Sequence, residues 1–193
     1  MGKVVVSQFI SLDGVIEDPG GSEDHPHGGW SFKFNRGEDG DKFKLDEVMA
    51  SDVLLLGRKT YQGFAGAWPS MTDEDGFADK FNSMPKYVVS TTLGDDDASW
   101  NNSTVIRHDL AGAVGRLTEQ YSGDILINGS GKLIASLAEQ DLIDEYRLMT
   151  FPVVLGSGQR LFADSEAAKT MRLAETKPVG PDGVIVLTYE LAR

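Results

Sequence analysis

Cysteine is absent from this sequence of 193 residues, and no apolar run approaches the roughly 18 residues that a membrane-spanning helix requires. The first absence excludes a disulfide framework and a thiolate metal site. The second argues against a membrane partner, and the first residues carry no basic and apolar leader. We therefore expect a cytoplasmic protein.

Positive charge is also scarce. The sequence has 18 Lys and Arg residues against 30 Asp and Glu residues, which gives a formal net charge of −12 at pH 7. A nucleic-acid-binding surface needs basic side chains opposite the phosphates, so we expect no nucleic-acid partner. An anionic ligand would have to bind at a local positive patch inside a repelling field. The few places where cations cluster are therefore informative.

The composition is that of an ordinary globular protein, with 40% hydrophobic and 9% aromatic residues. We expect one domain over residues 1–193. Strands and helices alternate over the first two thirds, and antiparallel strands follow. This order predicts an α/β fold with a mostly parallel central sheet, antiparallel C-terminal strands and helices on both faces. The predicted strands are 3–10, 52–56, 87–90, 104–106, 125–127, 144–151, 172–179 and 184–191, and the longer helices are 38–50, 109–120 and 132–140.

Two apolar runs end at a glycine and continue as a helical segment, at residues 54–61 and 125–134. A strand that turns directly into a helix points the free N–H groups of the first helical turn past the sheet. Those groups and the helix dipole favour bound phosphate. Glycine is required because a Cβ would hold the phosphate away from the backbone. The accompanying polar side chains indicate a ligand with several phosphates: Arg58, Lys59, Thr60, Ser130 and Lys132.

Three segments resemble the NADPH-contacting strand ends of the dihydrofolate reductase fold: Gly57-Arg58-Lys59-Thr60, the stretch from Lys86 to Thr91, and Ile127-Asn128-Gly129-Ser130-Gly131. The run from Phe151 to Gly158, with Leu161-Phe162, is similar to one branch of that superfamily. This branch includes the C-terminal reductase domain of bacterial riboflavin-biosynthesis enzymes. The resemblance covers nearly the whole chain and implies a three-layer fold of that kind. The glycine fingerprint of the other common dinucleotide-binding fold is missing after the first strand.

The resemblance also implies how NADPH would bind. Arg58 and Lys59 would pair with the 2′-phosphate, and Asn128 stands where glycine pairs are often seen. The alternative is that these are ordinary surface charges and caps at helix starts. The implied contacts are Phe9, Ile10 and Ile16 at the nicotinamide, Ser90 and Thr91 near the adenosine ribose, and Gly57, Arg58, Lys59, Thr60, Asn128, Gly129, Ser130, Gly131 and Lys132 around the phosphates.

Reduction of a C=N bond needs positioning and a proton source. In the resembled reductases an acidic side chain of the first helix lies near the substrate, and counting back from Gly57 leads to Asp41. The alternative is that Asp41 is a first-turn acid favoured by the helix dipole. Asp13, at the end of the first strand, is the competing carboxylate.

The long segment from residue 12 to residue 37 is predicted to be a polar, glycine-rich lid. Trp30, Phe32 and Phe34 alternate at strand spacing, so one face could cover a flat heteroaromatic substrate, or they could be core residues that anchor the segment. His25 and His27 lie beside two acids, but their spacing matches no usual structural zinc pattern. We therefore predict no metal site.

The sequence thus predicts an NADPH-dependent reductase of a planar nitrogen heterocycle, such as a pterin or a pyrimidine. One alternative is the pyrimidine reductase of riboflavin biosynthesis, although the deaminase domain often fused to it is absent. Another is a nucleotide-binding protein without catalytic activity. The resemblance also implies a homodimer that involves the C-terminal strands. We expect the lid to determine which heterocycle is the substrate, but the sequence of the lid does not identify that heterocycle.

Overall fold

The computed structural model describes residues 1–162 and 168–192. Its strands are β1 Val4–Ser11, β2 Ser51–Gly57, β3 Lys86–Val89, β4 Ser103–Ile106, β5 Asp124–Asn128, β6 Glu145–Phe151, β7 Met171–Val179 and β8 Val184–Leu191. Its helices are α1 Gly37–Ala50, α2 Arg58–Ala67, α3 Phe77–Ser83, α4 Leu110–Gln120 and α5 Gly131–Glu139, with 3₁₀ turns at Trp30–Lys33 and Trp68–Ser70.

All described strands belong to one sheet in the order β4-β3-β2-β5-β1-β6-β8-β7. The first six in this order pair in parallel, while β8 runs antiparallel to both β6 and β7. The predicted fold class is therefore confirmed. Because the strands up to β6 are parallel, the carboxyl ends of β1, β2, β3, β5 and β6 meet at one edge. The two glycine junctions leave β2 and β5, which are neighbours in the sheet.

The central strands are apolar on both faces because helices cover both faces. On one face, α4 and α5 pack on Val4, Val6 and Ile127 through residues that include Val114 and Leu137. On the other face, side chains of α1, α2 and α3 pack on a second cluster. Parallel strands buried in this way have continuous apolar sequences rather than alternating ones.

A third cluster lies where the lid segment folds back onto the C-terminal strands. Trp30 is fully buried against Phe151, and its indole N–H donates to the carbonyl of Glu17 at 2.8 Å. Residues 30–33 form a 3₁₀ turn rather than an extended stretch, so the strand-like alternation predicted there is wrong. As a result Phe32 points into solvent, with 80% of its surface exposed. The lid is packed onto the sheet along this turn.

Candidate functional site

The two glycine junctions form one continuous surface. The N–H of Gly57 donates to Ser130 Oγ at 2.9 Å, and the N–H of Ser130 donates to Thr60 Oγ1 at 2.9 Å. These crossed hydrogen bonds hold the starts of α2 and α5 side by side. The first N–H groups of each helix have no acceptor within their own helix. Two sets of donors and two helix dipoles therefore face the same space.

The turn between β5 and α5 leaves no room for a side chain at Gly129. Gly129 has φ +59°, and a Cβ there would lie 3.0 Å from Thr60 Oγ1 and Cγ2. Ser130 is also left-handed, at φ 60°, which is costly for a residue with a side chain. Buried Gln8 braces the turn by donating to the carbonyl of Gly129 at 2.7 Å. Such a strained, glycine-dependent turn at a helix start suits the close approach of a phosphate.

Arg58 extends from the start of α2 toward the end of β3. Its guanidinium donates to Thr92 Oγ1 at 2.6 Å. Ser90 Oγ accepts hydrogen bonds from the N–H groups of Thr92 and Leu93, so this hydroxyl stabilises the turn, while Thr91 is exposed. Sequence reasoning included Ser90 and Thr91 but missed Thr92. The only sequence feature that pointed to Thr92 was its position next to Thr91, a predicted contact.

Lys59 meets an acid of the lid. Its ammonium lies 2.6 Å from Glu23 Oε2, and this hydrogen bond raises the pKa of Lys59 above its ordinary value. The lid residues around Glu23 are shaped by buried Asp18, whose carboxylate accepts from the N–H groups of Ser22, Glu23 and His25. Lys132 is exposed on the neighbouring helix start. The cations predicted for a phosphate ligand therefore border one surface, and one of them is paired with the lid.

The C-terminal segment that follows β6 also reaches this surface. A Cβ on Gly131 would lie 2.5 Å from the side-chain nitrogen of Gln159, so the end of this side chain packs closely against the start of α5. The N–H of Gln159 donates to Glu17 Oε2 at 2.7 Å, and its carbonyl accepts from Ile16 at 2.9 Å. Two segments far apart in sequence therefore meet beside the start of α5.

The residues predicted to contact the nicotinamide lie on opposite faces of the sheet. Ile10 and Ile16 are buried together in the core under α4 and α5. Phe9 points to the opposite face, where its ring packs 5.2 Å from the ring of Phe151. Successive residues of a strand alternate between faces, so Phe9 and Ile10 can meet a common ligand only at the sheet edge. Trp30 belongs to the core on the side of Phe9, and Phe34 is half-buried beside it.

Asp13 stabilises a turn. Its carboxylate accepts from the hydroxyl of Ser11 at 2.7 Å and from the N–H groups of Leu155 and Gly156 at 3.1 and 2.8 Å. These hydrogen bonds, first that of Ser11, lower the pKa of Asp13 to about 2. An acid that is ionised at neutral pH and occupied by three donors is poorly suited to deliver a proton.

Asp41 lies at the outer side of α1. Its side chain is 68% exposed and forms an ion pair with Arg36 at 2.6 Å. The guanidinium of Arg36 in turn lies 5.2 Å from the ring of Phe9. The structure therefore places Asp41 near the mouth of the site without bringing its carboxylate inside.

The inner side of α1 holds polar residues that sequence reasoning missed. Lys44 and Glu47 contact Ser7 in the middle of β1, and Arg147 approaches Glu47 from β6. The sequence feature that could have identified them is the helical spacing of Gly40, Lys44 and Glu47, which places these residues on one face of α1.

Within residues 1–162 and 168–192 no group of three or more His, Cys, Asp or Glu side chains could hold a metal ion. The same residues contain no helix long and apolar enough to cross a membrane.

Comparison with known proteins agrees with this architecture. The model of the RibD C-terminal domain family matches residues 2–185. Two Bacillus subtilis (strain 168) proteins, both named as uncharacterized, are similar over nearly their whole length. YyaP is 28% identical over 190 residues, with 97% of this chain and 94% of YyaP covered. YwjB is 30% identical over 178 residues, with 92% of each chain covered.

A solved structure shows the same fold. It is a protein from Shewanella sp. PV-4 provisionally described as a riboflavin biosynthesis protein. The two structures superpose with a TM-score of 0.78 at 23% identity, and the alignment covers 100% of both chains.

Proposed function

Because this chain belongs to the RibD C-terminal domain family of reductase-like domains, we propose that it is an NADPH-dependent reductase of a planar nitrogen heterocycle. The observation that carries the proposal is the pair of crossed hydrogen bonds between Gly57, Ser130 and Thr60. They join two helix starts into a surface suited to a ligand with several phosphates. A single glycine junction would not distinguish such a ligand from a simple anion.

The residues present fit this cofactor. The turn at Gly129 lacks room for a Cβ, and Arg58 and Lys59 supply charge at the border of the surface. Residues 57–60 and 129–132 would hold the pyrophosphate, and Arg58 and Lys59 the 2′-phosphate. Thr92 joins Ser90 and Thr91 as a candidate on the ribose side. When bound, the cofactor would supply a hydride to a C=N bond.

The remaining side chains would shape the substrate space. Phe9 and Phe34 offer half-buried aromatic surface on the side of α1. The lid lies next to that surface and would limit the access of water. Trp30 would act as an anchor of the lid, since its ring is fully buried. The heterocycle would therefore stack near Phe9, between α1 and the lid.

A second candidate is the pyrimidine reductase step of riboflavin biosynthesis, which the family match favours. The two proposals share the cofactor surface and differ only in the substrate. A pyrimidine panel that contains a ribosylamino-pyrimidine, tested beside a pterin panel, distinguishes them. NADPH binding without oxidation by any member would favour a nucleotide-binding protein without catalytic activity.

The proposal is tested first by binding. Titration of the purified protein with NADPH, followed by nicotinamide fluorescence, should give saturable binding. Gly129→Ala should raise the NADPH dissociation constant by roughly 10-fold or more, since a Cβ there would hold the phosphate away from the backbone N–H groups and weaken a hydrogen bond to a charged group that contributes about 1.5–3 kcal/mol. Gly63→Ala is the matched control, because a Cβ there meets nothing within 4 Å. Absence of NADPH binding by the folded wild type would refute the proposed function.

A further inference from the structure

Three polar side chains meet on the inner side of α1, next to Phe9. The ammonium of Lys44 donates to Ser7 Oγ at 2.6 Å, and the hydroxyl of Ser7 donates to Glu47 Oε2 at 2.9 Å. Lys44 also forms an ion pair with the same carboxylate. The Lys44 side chain is only 14% exposed and that of Glu47 only 2%. We name these three residues the Lys44 cluster.

The Lys44 cluster contains more charge than the anchoring of a helix requires. The guanidinium of Arg147 lies 3.7 Å from Glu47 Oε1, and this oxygen accepts no hydrogen bond within the described parts of the chain. Burying such charges is costly, and aliphatic side chains of similar volume often give equal or greater stability. Anchoring α1 to β1 therefore does not by itself explain a buried lysine and glutamate. What the contacts do achieve is a fixed position for the ammonium of Lys44.

One donor of that ammonium remains available. A lysine ammonium has three N–H groups, and the described structure assigns it two acceptors, Ser7 and Glu47. The centroid of the Phe9 ring lies 5.6 Å from Nζ. The Nζ atom that carries the remaining donor therefore lies beside the aromatic side chain near which the proposed function places the heterocycle. Asp41, in contrast, is directed toward solvent.

We infer that Lys44 donates its free N–H to a carbonyl oxygen of the bound heterocycle. This inference rests on the proposed function and narrows its substrate class. A carboxylate at this place would accept a hydrogen bond and so favour a heterocycle that presents an N–H group. A fixed ammonium donates a hydrogen bond and so favours a heterocycle that presents an oxygen or an anionic group. The substrate is therefore a heterocycle with a ring carbonyl, such as an oxo-pyrimidine or a 4-oxo-pterin. Ser7 and Glu47 are positioning residues that act through Lys44.

The inference is tested with two ligands that differ at one group. The first is 7,8-dihydropterin, and the second is 2-amino-7,8-dihydropteridine, which lacks the 4-oxo oxygen. Calorimetry should show that the wild type binds the oxo compound roughly 10-fold more tightly or better, as expected for a hydrogen bond to a charged group. In Lys44→Met the two affinities should fall within about 2-fold of each other. A merely structural role would weaken both ligands equally and leave their ratio unchanged.

Lys42→Met is the matched control, because Lys42 lies on the same helix and is exposed, paired with Asp46. It should keep the wild-type ratio. Glu47→Gln should reduce the ratio without abolishing it, since Ser7 still holds the ammonium. Should Lys44→Met fail to fold because Glu47 loses one of its two cationic partners, the double variant Lys44→Met/Glu47→Gln also removes the buried carboxylate charge and serves in the same comparison.

Two results would overturn the role of Lys44. One is a wild type that shows no preference for the oxo compound, and the other is a folded Lys44→Met that keeps the preference. Both affinities are measured with and without NADP⁺, so the ratio is available even if the cofactor does not bind. Failure of the NADPH titration therefore counts against the proposed function, whereas failure of the oxo preference counts against Lys44.

Discussion

The carboxylate of Glu23 lies 2.6 Å from the ammonium of Lys59, at the border between the lid and the first helix start. Lys59 is one of two cations proposed to bind the 2′-phosphate of NADPH. An acid of the lid therefore occupies a group that the cofactor would need. Binding of a 2′-phosphate would replace one anion by another at the same cation.

Glu23→Gln should tighten NADPH binding and leave NADH binding unchanged. The effect should be about 2- to 5-fold, because Lys59 is 75% exposed and an exposed pair contributes only about 0.2–1 kcal/mol. Parallel titrations with NADPH and NADH measure it. Glu119→Gln, an exposed acid on α4, controls for the general loss of one negative charge. An equal increase in the affinity for both nucleotides would show that Lys59 does not bind the 2′-phosphate.

Replacing Arg58 and Lys59 together by Ala should weaken NADPH far more than NADH. A lost contact between a cation and a phosphate costs about 1.5–3 kcal/mol, or roughly 10- to 150-fold in the dissociation constant. Equilibrium titration of the double variant with both nucleotides checks the difference. Equal weakening of the two nucleotides would remove the assignment of these residues to the 2′-phosphate.

Asp41→Asn should preserve NADPH binding and lower turnover by less than about 10-fold. The side chain is largely exposed and its charge is paired with Arg36, so the carboxylate is not held against the heterocycle. Steady-state kinetics with any accepted substrate provide the measurement. A loss of about 10²-fold or more would show that Asp41 takes part in proton delivery, as the sequence hypothesis holds.

Lys86→Met should destabilise the fold by about 2–4 kcal/mol, since it leaves buried carbonyls without a donor. The fully buried Lys86 ammonium donates to the carbonyls of Asn82, Met84 and Asn101, and lies 4.3 Å from the centroid of the Trp100 ring. Urea unfolding of both proteins measures this loss.

The same pair of proteins tests a pH dependence. Burial lowers the pKa of Lys86 from 10.5 to about 8. Between these values the unfolded chain binds the proton and the folded chain releases it, so wild-type stability gains with rising pH. The difference between wild type and Lys86→Met should therefore widen from pH 8 to pH 10.5. A constant difference would show that the folded lysine keeps its proton.

We propose that the protein is a homodimer that covers the apolar face of its C-terminal strands. This face holds a hollow of about 200 Å³ lined by Tyr146, Leu148, Phe162, Met171 and Tyr189. Leu173 lies two residues along β7 from Met171 and is exposed. Light scattering at micromolar concentration should give a dimer mass, and Leu173→Glu should shift it to a monomer. A monomeric wild type would refute the proposal.

Elements with a strong local pattern were predictable from the sequence. The buried runs at Leu54–Leu56 and Ile125–Ile127 identified β2 and β5, and the turn at Asp182 and Gly183 joined β7 to β8 as expected. Such patterns arise from burial and turn chemistry within a few residues, so they need no knowledge of distant contacts. The glycine junctions at the ends of β2 and β5 were predictable from the sequence for the same reason.

The placement of individual side chains was not predictable in the same way. Asp13 bonds to Leu155 and Gly156, more than 140 positions away, and Glu47 approaches Arg147 across 100 positions. No local pattern specifies such pairs. The position of Trp30 also depends on packing against Phe151, so its alternation with Phe34 resembled a strand without being one. Long-range packing therefore decides on which face of the sheet each predicted site residue lies.

The hydrogen bonds from Leu155 and Gly156 to Asp13 have a consequence for motion. Val15 also forms a β-bridge with Arg160, and the N–H of Leu161 donates to the carbonyl of Gly14 at 2.9 Å. The start of the lid and the stretch after β6 are thus tied together at several points. Segments linked in this way open as one cooperative unit rather than separately. A change in the sequence of the lid near residues 13–15 would therefore have to be accommodated in residues 155–161 as well.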